Sequence, residues 1–468
     1  MTGRVQAGIF FHFLYDAVME NLGSFFAGKK VTVMGLGLLG RGVGDAAYIA
    51  EAGAREVLVT DLKSEAELAD SVGRLRDFKN VRFVLGEHRL EDFEDRDIVL
   101  VAAGVPMASK YVARAKLAGA RVVQSAALFA ELSGVPIIGV TGTRGKSTVT
   151  HMIHHVLTQA TGEEILLGGN VRGLSNLQLL KQVKEDSLCV MELDSWQLQG
   201  FGWAKISPQI AVFTNFMEDH LNYYGADGVS KEEAMRRYFE DKANIFTHQE
   251  ESGVFITTPA VFERAKQLAG VEIGQEVILA DESVIPEDSL LSMPGAHNRL
   301  NAALAYEALK AVSLEDEEIF AGLASFPGVP GRLEYLGERD GVKIYNDNNA
   351  TTPAATIRGL EAVGNVDDKN VVLIAGGANK NIDPAELLEA VGRYCKKVVL
   401  LPGTGTDVIK GLLEAEVVES MEAAVAAGLA VGQPGDVLLF SPGFASFGLF
   451  KNEYERNDAF VACVNKSE

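Results

Sequence analysis

The sequence predicts an α/β protein of three domains, each a mostly parallel sheet wrapped in helices. Three observations carry that expectation. A strand runs through a glycine-rich turn into a helix twice, at Gly35-Leu36-Gly37-Leu38-Leu39-Gly40 and at Gly139-Val140-Thr141-Gly142-Thr143-Arg144-Gly145-Lys146. Short apolar runs alternate with helical patterns from residue 31 onward, as strands buried on both faces do. The length, 468 residues, suits about three domains of ~150 residues.

Composition narrows the functional classes. Hydrophobic residues make up 47% and charged residues 23%, the balance of a globular protein with ample core. A net charge of −21 argues against a nucleic-acid partner, which needs clustered Lys and Arg. No run of ~20 apolar residues is present, so no membrane span is expected. Cys189, Cys395 and Cys463 are few and widely spaced, which speaks against a disulfide framework or a zinc site and for a cytoplasmic protein. The run Ile9-Phe10-Phe11-His12-Phe13-Leu14-Tyr15 reads as an amphipathic helix packed on the body rather than a signal peptide.

The first domain, residues 1–132, opens with the strand Val31-Thr32-Val33-Met34 and the first glycine turn. Glycines at this spacing permit a tight turn and close approach to a phosphate, giving a Rossmann-like start. Asp61 ends the next strand, where a ribose-binding acid belongs. Val81–Leu85, Ile98–Ala102 and Arg121–Gln124 supply further strands. Such a turn more often binds a nucleotide than only shapes the chain.

The second domain, residues 133–328, carries the stronger signal. Val135-Pro136-Ile137-Ile138 leads into Gly142-Thr143-Arg144-Gly145-Lys146-Ser147-Thr148. That strand, loop and helix start aim backbone N–H groups at an anion, Lys146 reaches terminal phosphates, and the Ser147 or Thr148 hydroxyl suits Mg²⁺. The strict spacing would put glycine where Val140 stands. We read an ATP site. Cys189–Glu192 and Ile210–Thr214 are the neighbouring strands, so Glu192 falls where a Mg²⁺ ligand belongs, and His220 falls in a polar stretch just beyond the second strand. Lys242 lies in a partly apolar helix and reads, alone, as a surface lysine. Residues 250–294 are rich in Pro, Gly and acids and read as a peripheral excursion. In the helix at 297–312, Asn298 and Asn301 share a face, where they would read an adenine edge or cap the helix.

Pro327-Gly328-Val329-Pro330-Gly331 is the strongest hinge signal and opens the third domain, residues 329–468, with Val342–Tyr345, Val371–Ala375, Val398–Leu401 and Val437–Phe440 as strands. This unit is again Rossmann-like. Asn346-Asp347-Asn348-Asn349-Ala350-Thr351-Thr352 and Ser441-Pro442-Gly443-Phe444-Ala445-Ser446-Phe447 follow strands, the place where open α/β sheets bind ligands. Arg332, just past the hinge, is placed to swing onto a γ-phosphate.

Taken in order, Gly142–Thr148, Gly169-Asn170, Glu192-Leu193-Asp194-Ser195-Trp196-Gln197-Leu198, Asp219-His220, Gly295-Ala296-His297-Asn298, Asn346-Asp347 and Ser441 to Phe447 resemble the Mur ligases, ATP-dependent amino-acid ligases of peptidoglycan synthesis. The resemblance runs over nearly the whole chain beyond about residue 30 and is strongest to the branch that adds D-glutamate to UDP-N-acetylmuramoyl-L-alanine. It implies catalytic roles for Lys146, His220 and Lys242, and ATP contacts from residues 142–148, Asn298, Asn301, Arg332 and Asp347. It implies Mg²⁺ held by Ser147, Glu192, His220 and a Lys242 carbamylated by CO₂. It also implies acceptor contacts from Gly37, Leu38, Leu39, Gly40, Asp61, Asn170 and Gln197, and amino-acid contacts from Lys380 and Ser446. The first domain would then hold UDP rather than NAD, in a cytoplasmic monomer.

Four positions depart from the family pattern. Asn349 stands where a lysine is usual, Glu453 where an aromatic is usual, Gly331 where a His precedes Arg332, and Asp194 where the first Ser of a Ser-Ser-Phe-Gln pattern falls. Losing a cation and gaining an anion weakens a glutamate pocket, since charged hydrogen bonds contribute roughly 1.5–3 kcal/mol each. A ligase using another amino acid and a non-catalytic nucleotide-binding relative are the alternatives.

Overall fold

The computed structural model describes residues 24–38, 40–106, 108–267, 273–287, 291, 293, 295–380 and 382–466. The expected helix at 9–15 and the acceptor residue Leu39 lie outside the described residues. The chain divides into two compact units, one reaching to Val284 and including Asn301–Gly322, the other made of Ile285–Leu300 and the chain from Leu323 onward.

The first unit contains two sheets. One consists of β1 (Lys30–Met34), β2 (Glu56–Asp61), β3 (Val81–Leu85), β4 (Ile98–Val101) and β5 (Arg121–Val123). Its strands are all parallel in the order β3-β2-β1-β4-β5. Period-two alternation sorts the side chains. Val31, Val33, Val57, Val59 and Leu100 join the core that includes Val43, Ala46 and Ile49 of the helix Arg41–Glu51, while Met34, Val99 and Val101 pack with Phe93 and Val112.

The second sheet comprises β6 (Ile137–Thr141), β7 (Leu166–Gly169), β8 (Cys189–Glu192), β9 (Ile210–Phe213), β10 (Val254–Thr257) and β11 (Glu276–Leu279). It too is all parallel, in the order β11-β10-β9-β6-β8-β7. The expected excursion at 250–294 is therefore corrected, because β10 and β11 extend this sheet. Both sheets share one hydrophobic cluster through Phe129, Leu177 and Leu180. A polar bolt joins them. Buried Asp45 accepts from Ser175 Oγ at 2.6 Å and Leu177 N at 3.2 Å.

The second unit holds β12 (Glu334–Arg339), β13 (Val342–Asn346), β14 (Val371–Ala375), β15 (Cys395–Leu400), β16 (Ala415–Val417) and β17 (Val437–Phe440). Their order is β12-β13-β17-β14-β15-β16, and only β12 with β13 is antiparallel. Its two faces carry separate cores, one around Leu360, Leu373 and Leu439, the other around Ile344, Ile374 and Phe460.

Candidate active site

The order β9-β6-β8 brings three carboxyl ends together in the first unit. From β6 the chain enters the loop Gly142–Gly145 and then the helix Lys146–Thr161, whose N-cap Gly145 has φ 80° and which has no acidic residue in its first turn. Gly142 sits at φ 149°, where a Cβ would lie 1.9 Å from Thr214 Oγ1, and a Cβ on Gly145 would lie 2.5 Å from Asn301 Oδ1. The segment just after β9 fixes the loop. Thr143 N donates to Asn215 O (2.9 Å), Arg144 N to Asn215 Oδ1 (2.9 Å), and Thr214 Oγ1 to Arg144 O (2.5 Å). The result is a cradle whose size excludes side chains and whose helix end favours an anion.

Cations converge on this cradle. Lys146 Nζ donates to Gly142 O (3.0 Å) and Thr143 O (3.2 Å). Lys242 donates to Gly142 O at 2.7 Å. Sequence alone made Lys242 a surface lysine, but its side chain is 1% exposed, because its helix Lys231–Ala243 packs this face inward. It makes no ion pair among the described residues. Burial and the nearby Lys146 push its pKa well below the ordinary lysine value, against the pull of Asp194, Asp219 and Glu192. Such an amine spends more time neutral.

Acidic and imidazole groups stand opposite. Glu192 ends β8 and is buried. Ser147 and Thr148 open the helix and are buried beside it. His220 has φ 54° and its ring lies 4.7 Å from that of Trp196 and 5.6 Å from that of Tyr238. Burial lowers its pKa, and Lys242 and Lys146 add to that while Asp219 opposes it. Arg144 reaches Asp219 at 3.8 Å. Among the described residues no three His, Cys, Asp or Glu side chains group as a metal site. A hydroxyl, a carboxylate and a neutral imidazole facing a phosphate cradle nevertheless suit a hard cation that shares its shell with phosphate oxygens.

On the acceptor side, Asn170 follows β7 and its Oδ1 takes a hydrogen bond from Arg41 Nη1 at 2.7 Å. Gln197 forms a capping box with Asp194, Gln197 N donating to Asp194 Oδ1 at 2.8 Å, so the departure at Asp194 is an ordinary N-cap. In the glycine turn, Asp61 Oδ2 accepts from Leu36 N (2.9 Å) and Gly37 N (3.0 Å), and Oδ1 from Lys63 N (2.9 Å). Asp61 thus shapes the turn. Leu38 is exposed, and Gly40 at φ 82° is the N-cap of the helix Arg41–Glu51.

In the second unit, β13, β17 and β14 are neighbours, so the loops after them meet. Asp347 is half-buried, accepting from Ser441 Oγ at 2.8 Å and Leu333 N at 3.2 Å, and desolvation raises its pKa to about 7. Arg332 Nε is a buried donor with no partner among the described residues, as a cation awaiting an anion would be. Lys380 Nζ donates to Thr351 Oγ1 at 2.9 Å, and Ser446 is buried nearby in chain order after β17. Asn298 is buried within the helix Ala296–Ala311, past its first residue, so capping does not explain it.

One residue escaped the sequence reading. Arg456, 1% exposed, donates from Nε to Asn348 Oδ1 (2.8 Å), from Nη2 to Asn348 O (2.9 Å) and from Nη1 to Phe444 O (3.1 Å). Burial lowers its pKa to about 10. It ties the loop bearing Asn349 to the loop bearing Ser446. Its helical context gave no signal, since an arginine in Glu453–Lys466 reads as solvated.

Comparison with known proteins places these features. The Mur ligase middle domain matches residues 140–274, and the Mur ligase, glutamate ligase domain matches residues 331–444. A UDP-N-acetylmuramoylalanine–D-glutamate ligase of Roseiflexus sp. (strain RS-1) is 34% identical, the match covering 94% of this chain and 98% of that protein. The chain belongs to the Mur ligase family. A Mur ligase with the same name from Clostridioides difficile (strain 630) is 30% identical over 94% of this chain and 98% of its own. Mur ligases are ATP-dependent. Among solved structures, the UDP-N-acetylmuramate-alanine ligase MurC of Thermotoga maritima aligns with TM-score 0.58 at 18% identity, covering 94% of this chain and 100% of that chain. MurF of Thermotoga maritima in complex with ADP aligns with TM-score 0.55 at 16% identity, covering 94% and 99%. At such identities the likeness concerns the fold, a three-domain α/β arrangement.

Proposed function

We propose that this Mur ligase joins D-glutamate to UDP-N-acetylmuramoyl-L-alanine in the cytoplasm, with ATP as the energy source and ADP and phosphate as products. The observation that carries the reading is the cradle at Gly142–Gly145 with buried Lys242 and Lys146 both bonded to its carbonyls. The relatives' printed substrates supply the acceptor and the amino acid.

In this reading the acceptor carboxylate attacks the γ-phosphate of ATP, giving an acyl phosphate. The amine of the amino acid then attacks the acyl carbon, and phosphate leaves. Two anions must approach each other. Lys146, and Arg332 with its unpartnered Nε, neutralise charge as it builds. Ser147, Glu192, His220 and a carbamylated Lys242 would hold Mg²⁺, which supplies further neutralisation when bound. Lys242 suits that modification because it is buried beside the cradle without a paired carboxylate. Asn298, Asn301 and Asp347 would position the nucleotide. Gly37, Leu38, Gly40, Asp61, Asn170 and Gln197 would position the acceptor, and Lys380 and Ser446 the incoming carboxylate.

A second reading, another amino acid in the same mechanism, draws on Asn349 and Glu453. Lys380 is then the main cation left for a side-chain carboxylate. The test is ADP release with Mg²⁺-ATP and UDP-N-acetylmuramoyl-L-alanine across D- and L-amino acids, with product mass read in parallel. Release that requires D-glutamate supports the first reading. Release with a different amino acid selects the second, and silence across the panel sinks both.

A further inference from the structure

Three cations stand at the cradle, and one of them, Arg144, has no part in the scheme above. Lys146 and Lys242 bond to the loop's carbonyls. Arg144 belongs to the loop itself, and its backbone is fixed on both sides. Arg144 N donates to Asn215 Oδ1 (2.9 Å), and Arg144 O accepts from Thr214 Oγ1 (2.5 Å) and Asn215 Nδ2 (3.1 Å). The side chain is not fixed. It is 47% exposed, and among the described residues its guanidinium makes no hydrogen bond and a single ion pair, Nη2 to Asp219 Oδ2 at 3.8 Å. Its N–H donors are therefore unused. An ion pair of that length between partly exposed groups holds an arginine weakly.

Asp219 sets the place where the guanidinium rests. It lies beyond β9 and directly precedes His220. The His220 ring is 5.6 Å from that of Tyr238, Lys242 Nζ is 5.0 Å from the centre of the same ring, and Tyr238 Oη is 3.4 Å from Thr143 Oγ1. Tyr238 thus gathers the imidazole, the buried amine and the loop at one spot, and Asp219 brings Arg144 to it. In such a cradle the loop N–H groups and the helix start take the inner phosphates, and the terminal phosphate lies outward, beside the motif lysine. That outer end is the side on which Asp219 and His220 stand, since the charge of Lys146 acts on both.

We propose that Arg144 is a further catalytic residue: its guanidinium leaves Asp219 for the γ-phosphoryl group of ATP and stabilises that group during transfer to the acceptor carboxylate. In that step a bond forms from the carboxylate oxygen to the γ-phosphorus. The bond from that phosphorus to the bridging oxygen breaks, and ADP leaves with the electron pair. Arg144 gives up no proton. Charge spreads over the equatorial oxygens, which a planar fork of donors matches better than a point charge does. Asp219 is the resting counter-ion. This role rests on the ligase reading of the site.

Calorimetric titration of Mg²⁺-ADP and Mg²⁺-β,γ-imido-ATP into wild type, Arg144→Met and Arg144→Lys tests it, with kcat for ADP release measured on each in the presence of acceptor and amino acid. Both variants keep the main-chain bonds of the loop. Arg144→Met is expected to bind ADP within about twofold of wild type and the imido analogue about tenfold more weakly, with kcat lower by about a hundredfold or more. Arg144→Lys should recover most of the analogue affinity and little of kcat. Equal loss for ADP and the analogue means that the side chain only shapes the loop, and overturns the proposal. Unchanged kcat in Arg144→Met overturns it too and leaves Arg144 a surface partner of Asp219. Wild type that binds both nucleotides but releases no ADP overturns the ligase reading and this role with it. Wild type that binds neither overturns the ATP site itself.

Discussion

The chemistry of single residues here is decided by burial. Lys146 was legible from its motif, because glycine, lysine and serine at that spacing have few other uses. Lys242 was not, since a lysine in the last turn of a highly charged helix looks solvated until the helix is packed. Lys146→Ala should abolish ADP release while leaving the circular dichroism spectrum and melting temperature nearly unchanged, and turnover retained in that variant would refute the ATP-site assignment. Lys242 also predicts a stability slope. Its native pKa lies below the unfolded value, ordinarily 10.5, so between the two the unfolded chain binds more protons. Stability therefore rises with pH through that window and falls on acidification. Denaturant titrations from about pH 6 to about pH 10 should show a shallower slope for Lys242→Met than for wild type. Asp347 runs the other way. Its native pKa of about 7 exceeds the ordinary 3.8, so the native state holds the extra proton and stability falls as pH rises between those values. Asp347→Asn should cost less, relative to wild type, at about pH 8 than at about pH 5.

Elements are set by patterns that the sequence states clearly only when they are long or strongly apolar. The central strands β1, β8, β9, β14 and β17 emerged within a residue or two, while β6 runs three residues further into the glycine loop than the apolar run Val135–Ile138. The edge strands β7, β10, β11, β12 and β16 did not. Each has a neighbour on only one side or lies near the sheet margin, and carries Gly, Thr or Glu, so its own residues state the strand pattern weakly. The glycine turns were legible for the opposite reason: their requirement is local. Gly142→Ala would set a methyl 1.9 Å from Thr214 Oγ1 at a φ that L-residues avoid. Strain of this kind costs about 1–3 kcal/mol. Thermal melts should show that loss together with loss of ATP binding, and a variant that binds ATP normally would mean the loop adapts. Ser175→Ala removes the hydroxyl that reaches buried Asp45 and should lower stability by about 1–2 kcal/mol, read by urea unfolding, with the ATP site intact.

At the scale of the molecule, the two units have separate cores, and that separation has a thermal consequence. The first unit joins both of its sheets in a single cluster, so they should melt together. The second carries its own clusters on the two faces of β12–β17 and needs none of the first unit's core to bury them. The sequence foretold three domains from three strand-helix patterns, but it gave no means of seeing that the first two share a core, since Phe129, Leu177 and Leu180 read as ordinary helix residues. Scanning calorimetry should therefore resolve two transitions. A non-hydrolysable ATP analogue held at the Gly142–Gly145 cradle stabilises the unit that owns the cradle, by about 2.7 kcal/mol at a hundredfold excess over Kd. The larger transition should shift upward with ligand concentration. If the smaller one moves by the same amount, the nucleotide engages both units, as Arg332 and Asp347 would require in the catalytic reading. If neither moves, the cradle does not bind the nucleotide, and the ligase mechanism built on it falls with it.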